Sequence, residues 1–271
     1  MSKYEIGFIG SCKMASAIIK GLIKTHFCEP KKIIATQAEQ DGIEEKEQDL
    51  GIKIILDNKA LVQNSRVIFI ATKPNQVASV LGEISSLITS DKLVVSIAAG
   101  ITTAKLEQSL PQNIRVIRVM PNTPALIGEG MSGIIGGKFA TGEDVQYIRK
   151  LLSSIGQCIV LDNEAQMDIV TAISGSGPAF FYKIINDIAR AGEKLGLEYE
   201  KSLLLSIQTA IGAAKMALVR DISMENLIAN VATKGGCTRV GVDTMELNNI
   251  DELLYDVIKN TTQKAHELGL N

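Results

Sequence analysis

Hydrophobic and polar positions change their spacing partway along this chain of 271 residues. From Tyr4 to about Val160, short β-branched runs stand between helix-like stretches: "YEIGFI", "KIIAT", "IKIIL", "RVIFIAT", "LVVSIAA", "IRVIRVM", "GIIGG" and "CIVL". Strands separated in this way predict βαβ units and a parallel sheet. The fourth and fifth runs are apolar nearly throughout, as a strand is when helices cover both of its faces. Between the second and third runs, "QAEQDGIEEKEQDLG" is acidic and polar and predicts the solvated face of a helix closed by Gly51.

After about Asn163 the strand-like runs cease, and apolar residues recur at spacings of three and four. "FFYKIINDIARAGEKLGL" and "SLLLSIQTAIGAAKMALV" are the longest of these helical stretches. At roughly 150 residues per domain the length fits two domains. We place the boundary so that 1–162 is a dinucleotide-binding, Rossmann-like domain and 163–271 a helical domain for substrate binding and dimerisation. The fold class is thus α/β, with an N-terminal mostly parallel sheet and a C-terminal all-helical dimerisation domain. Broad apolar helix faces in so small a unit are expected to bury themselves against a second copy, giving a homodimer or a higher homo-oligomer. Closure of those faces within one subunit is the other reading.

Composition narrows the partners. A net charge of -2, with Lys and Arg scattered singly, offers no basic stripe for nucleic acid. The four cysteines at 12, 28, 158 and 237 form no C-x-x-C pair, so neither a metal site nor a disulfide framework is expected, and a cytoplasmic location fits best. No apolar run approaches the ~20 residues of a membrane span, and the first apolar stretch, broken by Glu5 and Lys13, reads as strand plus helix rather than a signal peptide.

"GFIGSCKMA" (7–15) is the first candidate site. A dinucleotide turn needs a strand, a tight glycine turn and a helix whose first N–H groups receive the pyrophosphate. Gly10 fills the tight-turn position and Ala15 the last, small position, while Cys12 stands where a second glycine is usual. The turn Gly10, Ser11, Cys12, Lys13 and Met14 is the expected pyrophosphate cradle. At the end of the second strand, Thr36 and Gln37 replace the acid that would hold the ribose 2′-hydroxyl of NAD. Neutral residues there favour NADP(H), with NAD(H) second, although no arginine accompanies them.

"RVMPNTPALIGEG" (118–130), "TAISGSGPAFFY" (171–182) and "KGGCTRVG" (234–241), in this order behind a dinucleotide turn, resemble pyrroline-5-carboxylate reductase over nearly the whole chain. The resemblance implies NAD(P)H-dependent reduction of 1-pyrroline-5-carboxylate to L-proline, with the cofactor in the N-terminal domain and the substrate between the domains near a dimer interface. It implies that Ala71, Thr72, Lys73 and Pro74 contact the cofactor ribose and that Asn58 lies near the cofactor. An exposed lysine and a helix-starting asparagine are the competing readings.

Ala98 and Ala99 in "SIAAG" would let the nicotinamide approach the backbone. Asn122, between two stiffening prolines, is suited to bond the nicotinamide carboxamide or to hold its own loop. Ser176 in "SGSGPA" would lie against substrate and cofactor, or the small residues would serve a tight helix crossing. Gly235, Gly236, Cys237 and Thr238 present consecutive N–H groups to a substrate carboxylate at a helix start. The Thr238 hydroxyl is the candidate catalytic group, orienting the imine or relaying its proton, with helix capping as the alternative. Asp221 falls where relatives carry a glutamate near the substrate amine, or is a surface carboxylate.

Neither His26 nor His266 lies in these loops, which suits a reaction run by positioning. Cys12, Lys13, Thr233, Lys234 and Cys237 depart from the family's usual residues. Two other readings stay open: a β-hydroxyacid dehydrogenase using Lys183 with Asn186, and a non-catalytic nucleotide-binding regulatory paralogue.

Overall fold

All eight apolar runs become strands in the computed structural model, which describes residues 2–219 and 221–270. They are β1 (Tyr4–Ile9), β2 (Ile33–Thr36), β3 (Lys53–Ile55), β4 (Ser65–Ile70), β5 (Leu93–Ser96), β6 (Arg115–Met120), β7 (Gly130–Gly136) and β8 (Gly156–Val160). The sheet runs in the order β3-β2-β1-β4-β5-β6-β7-β8. Its pairs are parallel except β6 with β7, which are antiparallel. Only a short loop with a 3-10 turn over Thr123–Ile127 joins those two strands, too little chain for a helical crossover.

Helices α1 (Lys13–Lys24), α2 (Ile43–Leu50), α3 (Asn58–Asn64), α4 (Pro74–Ile84), α5 (Thr103–Gln108), α6 (Gly142–Leu152) and α7 (Gln166–Val170) fill the connections. Alternation along the strands sends Ile6, Phe8, Val67 and Phe69 to one side, where Ile18 and Leu22 of α1 and Ile148 and Leu151 of α6 cover them. The rings of Phe8 and Phe69 stack at 4.7 Å. Ile9, Ile68, Ile70 and Val94 face the other side against Leu61 of α3, Val77 and Leu81 of α4 and Leu106 of α5. Each fully buried side chain of this kind contributes about 1.5–3 kcal/mol relative to exposure, so the sheet unit has a core of its own. Gly51, at φ 68°, ends α2 in the left-handed conformation that the acidic segment led us to expect.

Helices α8 (Gly177–Lys194), α9 (Tyr199–Leu218), α10 (Met224–Val231), α11 (Cys237–Leu247) and α12 (Ile250–Leu270) complete the chain. By compactness the chain forms two units, 1–176 together with 261–271, and 177–260. The last turns of α12 thus belong to the sheet unit, where Lys105 donates to the Gly269 carbonyl at 2.6 Å. A Cβ on Gly100 would lie 3.2 Å from the Leu268 carbonyl oxygen, so the smallness of this position serves backbone packing.

In the helical unit, α8 and α9 form a hairpin at Gly196, and a Cβ on Gly192 would lie 2.1 Å from Ser202 Oγ. Few of its side chains are buried. Leu204 is 67% exposed, Leu247 82% and Leu253 62%, so apolar faces remain open in the single chain.

Candidate active site

The strand order reverses at β1, whose neighbours β2 and β4 lead away in opposite directions, and the crevice beyond the carboxyl ends of β1 and β4 is where such sheets bind ligands. Gly10 occupies this point at φ 96°, and a Cβ there would come within 2.8 Å of the Ala71 carbonyl. Only glycine satisfies both demands. Its N–H donates to Thr36 Oγ1 at 3.1 Å, and that hydroxyl donates to Asn58 Oδ1 at 2.7 Å. Asn58 Nδ2 in turn donates to Glu83 Oε2 at 2.9 Å. Thr36 is buried and its hydroxyl is fully engaged, so Thr36 and Asn58 shape the turn from behind. Asp57 caps α3 by accepting from the Ala60 N–H, so Asn58 is not the cap.

Cys12 precedes α1 with φ -67° and ψ 168°, an ordinary extended conformation, so cysteine in place of glycine strains nothing. Its thiol does not cap the helix, and the first turn of α1 carries no acid. The N–H groups of Lys13 and Met14 stand in that first turn, where no intrahelical acceptor exists. Ala15, fully buried, lets the helix pack on the sheet.

Across the turn, Ser11 Oγ donates to Gln37 Oε1 at 3.2 Å. Lys46, from α2, donates to both Ser11 Oγ (3.0 Å) and Gln37 Oε1 (2.8 Å). Gln37 Nε2 donates to the carbonyls of Glu39 (3.1 Å) and Asp41 (2.6 Å), which fixes the amide with its oxygen towards Lys46. Beside this cluster lies an open cavity of about 330 Å³ whose walls include Gln37, Gly42 and Lys46.

The loops after the next strands complete the edge. Ala71 is buried behind Gly10, and the shielded Thr72 hydroxyl has no hydrogen-bond partner among the described residues. Lys73 is exposed just ahead of Pro74, the first residue of α4. Ala98 is buried and Ala99 exposed after β5. Asn122 takes the second of its two expected roles: Nδ2 donates to the Ser174 carbonyl (3.1 Å) and Oδ1 accepts from the Met131 N–H (2.8 Å), so the amide holds its own loop. A positive-φ glycine turn, uncapped helix donors and an orphaned hydroxyl fit a dinucleotide with its pyrophosphate at α1.

Residues Thr171–Gly175 form a π-helical turn, closed by the Ser176 N–H donating to the Thr171 carbonyl at 2.8 Å. A Cβ on Gly175 would lie 2.6 Å from Met120 Cε, which accounts for one glycine of "SGSGPA" by packing. Pro178 is the second residue of α8, where it breaks no helical bond.

In the helical unit, Gly235 adopts φ 80° and Gly236 caps α11 in an extended conformation. The Gly236 N–H donates to the Thr233 carbonyl at 3.0 Å, so it is spent on the turn and unavailable to a carboxylate. Cys237 and Thr238 open α11, whose first turn holds no acid, and their N–H groups lack intrahelical acceptors. Thr238 is half-buried and does not cap the helix. Arg239 is bound along its own helix by Asp243 and Glu246, whose hydrogen bonds hold its guanidinium above its ordinary value. Asp221 is exposed in the turn before α10, which Ser223 caps. Lys183 pairs with Asp187 on the surface of α8, and Asn186 accepts from the Tyr199 hydroxyl, so neither is arranged as a base with its orienter.

Sequence reasoning missed two groups. Lys46 was hidden in an acidic helix, although a lone lysine nine residues beyond Gln37 was a readable signal. Arg118, only 2% exposed in β6, donates to Glu164 Oε1 at 2.9 Å and lies 3.8 Å from Asp168 Oδ1. Thr103 N–H also donates to Glu164, and His266 Nδ1 lies 3.2 Å from Asp168, so one buried cation joins β6, the start of α5, α7 and the end of α12. His26 stands in the turn after α1 at φ 57°.

Comparison with known proteins covers both units. A model of pyrroline-5-carboxylate reductase dimerisation matches residues 164–268, and a model described as NADP oxidoreductase coenzyme F420-dependent matches 5–100. Pyrroline-5-carboxylate reductase of Methanosarcina acetivorans is 36% identical over 269 residues, 99% of each chain. The structure of a pyrroline-5-carboxylate reductase from Coxiella burnetii superposes with a TM-score of 0.93 at 32% identity, covering 98% of this chain and 99% of that one. A pyrroline carboxylate reductase from Plasmodium falciparum, solved with NADP bound, gives 0.86 at 30% identity over 99% of each chain. With a full-length likeness above a third in sequence, the chain belongs to the pyrroline-5-carboxylate reductase family.

Proposed function

We propose that this chain catalyses the NAD(P)H-dependent reduction of 1-pyrroline-5-carboxylate to L-proline. The observation that carries the reading is the uninterrupted likeness to reductases of this name across both units. Reduced nicotinamide supplies the hydride, which forms a C–H bond at the imine carbon while the ring nitrogen keeps its proton. The protein's task is to bind and orient.

In the sheet unit, the N–H groups of Lys13 and Met14 hold the pyrophosphate end, with Gly10, Ser11 and Cys12 shaping the approach. Thr36, Gln37 and Asn58 brace that turn, and Ala71, Thr72, Lys73, Pro74, Ala98, Ala99 and Asn122 build the rest of the cofactor edge. In the helical unit, Cys237 and Thr238 bind the substrate carboxylate through their N–H groups, with Gly235 and Gly236 setting the turn. The Thr238 hydroxyl orients the ring nitrogen, and Asp221 and Ser176 serve the substrate. NADP(H) is the preferred cofactor and NAD(H) the second, a choice supported by neutral Thr36 and Gln37.

The open apolar faces of α9, α11 and α12 support a homodimer, or a higher assembly built from it. Four free cysteines accord with the reducing cytoplasm. The test is oxidation of NADPH and NADH with pyrroline-5-carboxylate supplied. Turnover with proline as product is expected, faster with NADPH. Saturable NADPH binding with no proline formed would overturn the enzymatic reading in favour of a regulatory module.

A further inference from the structure

Lys46 stands out among the charged groups of the sheet unit because its ammonium rests on two neutral oxygens, Ser11 Oγ and Gln37 Oε1. On the same helix Glu47 pairs with Lys53 at 3.2 Å and Asp49 with Lys20 at 2.7 Å, while Glu44 and Glu45, exposed in its first turn, make no ion pair with Lys46. Among the described residues no carboxylate lies within ion-pair distance of Lys46, although it sits on the most acidic helix of the chain. Two of its three protons are accounted for, and the third is free to meet an anion.

Location says which anion. The end of β2, next to a dinucleotide turn, is where the adenosine ribose arrives, and the residue there distinguishes a 2′-hydroxyl from a 2′-phosphate. Gln37 holds that position, its amide locked by two loop carbonyls so that only the oxygen faces Lys46. A glutamate in its place would neutralise Lys46 and repel a phosphate. Glutamine leaves the positive charge intact. The adjoining open cavity also has Asp41, Glu45 and Asp49 on its wall, so the place for a dianion is the side of Lys46 turned to Ser11, which lies outside that cavity.

We infer that Lys46, oriented by Ser11 and Gln37, is the residue that selects NADP(H) over NAD(H), by binding the 2′-phosphate of the adenosine ribose. The inference rests on the nicotinamide-dependent reading above and deepens it. Lys46 supplies the cation that no arginine provides, and it does so from the helix following β2 rather than from the strand end.

The test is calorimetric titration of the full-length protein with 2′,5′-ADP and, separately, with 5′-ADP, comparing the native protein, Lys46→Met and Lys46→Arg. Melting midpoints serve as a check that each variant is folded. Lys46→Met is expected to weaken 2′,5′-ADP binding by about tenfold to a hundredfold, the loss of one charge-assisted hydrogen bond, and to move 5′-ADP by less than about threefold. Lys46→Arg should keep most of the 2′,5′-ADP affinity, and the salt dependence of that affinity should flatten in Lys46→Met. Equal losses for both nucleotides would make Lys46 a strut between α2 and the turn and overturn the assignment, as would no loss for either. If the native protein binds neither nucleotide, the nicotinamide reading itself falls, and this assignment with it.

Discussion

Thr36 and Gln37 are adjacent in sequence and serve the same turn in different ways. Thr36 points into the protein, accepting from the Gly10 N–H and donating to Asn58. Gln37 faces the open edge with Ser11 and Lys46. The sequence shows two neutral residues ending a strand. It does not show that one hydroxyl is consumed internally, because its partners lie 26 and 22 residues away. Thr36→Val would leave the partly buried Gly10 N–H without its acceptor, at about 1 kcal/mol and no more than about 3 kcal/mol. Denaturant unfolding should read a loss of that size, together with weaker NADPH binding. Thr36→Ser should restore most of both, and an unchanged affinity in a destabilised Thr36→Val would separate the turn's geometry from cofactor binding.

For the elements, local periodicity was enough to find every strand and the long helices, since pleat and helix repeat within a few residues. The placement of α2 needed more. Glu47 accepts from the Ile54 N–H at 2.7 Å and pairs with Lys53, fastening the helix that carries Lys46 to β3. That backbone hydrogen bond, then Lys53, holds the Glu47 carboxyl below its usual range. A carboxyl lowered in the folded state contributes stability that is present above its unfolded value and lost as pH falls through the folded one. Glu47→Gln should therefore cost no more than about 1 kcal/mol near neutrality, given its solvent contact, and nothing measurable at about pH 2. Paired unfolding curves across that range check it, and a pH-independent difference would assign the effect to packing. Arg118 teaches the same lesson: an arginine inside an apolar strand is visible in sequence, but its carboxylates at Glu164 and Asp168 come from 46 and more residues away.

For the whole molecule, the two units differ in how completely they bury themselves. The sheet unit closes both faces with its own helices. The helical unit leaves some leucines and isoleucines of α8, α9, α11 and α12 more than half exposed, apolar surface of the kind that marks an interface between chains. Sedimentation equilibrium should give at least twice the chain mass of 29.1 kDa at micromolar concentration, and a monomer at that concentration would refute the assembly. No described helix is long and apolar enough to cross a membrane.

Sequence alone determined the eight strands, the change to helical spacing after about Asn163, the glycine turn after β1 and the family's loops, because each is written in residues close together along the chain. Tertiary structure alone decided that Thr36 and Asn122 are spent inside the protein and that the last turns of α12 lie with the sheet. It alone brought the unpaired Lys46 to Ser11 and Gln37. Those outcomes depend on which distant groups meet, since a buried polar atom can bond only to the partners that packing brings to it.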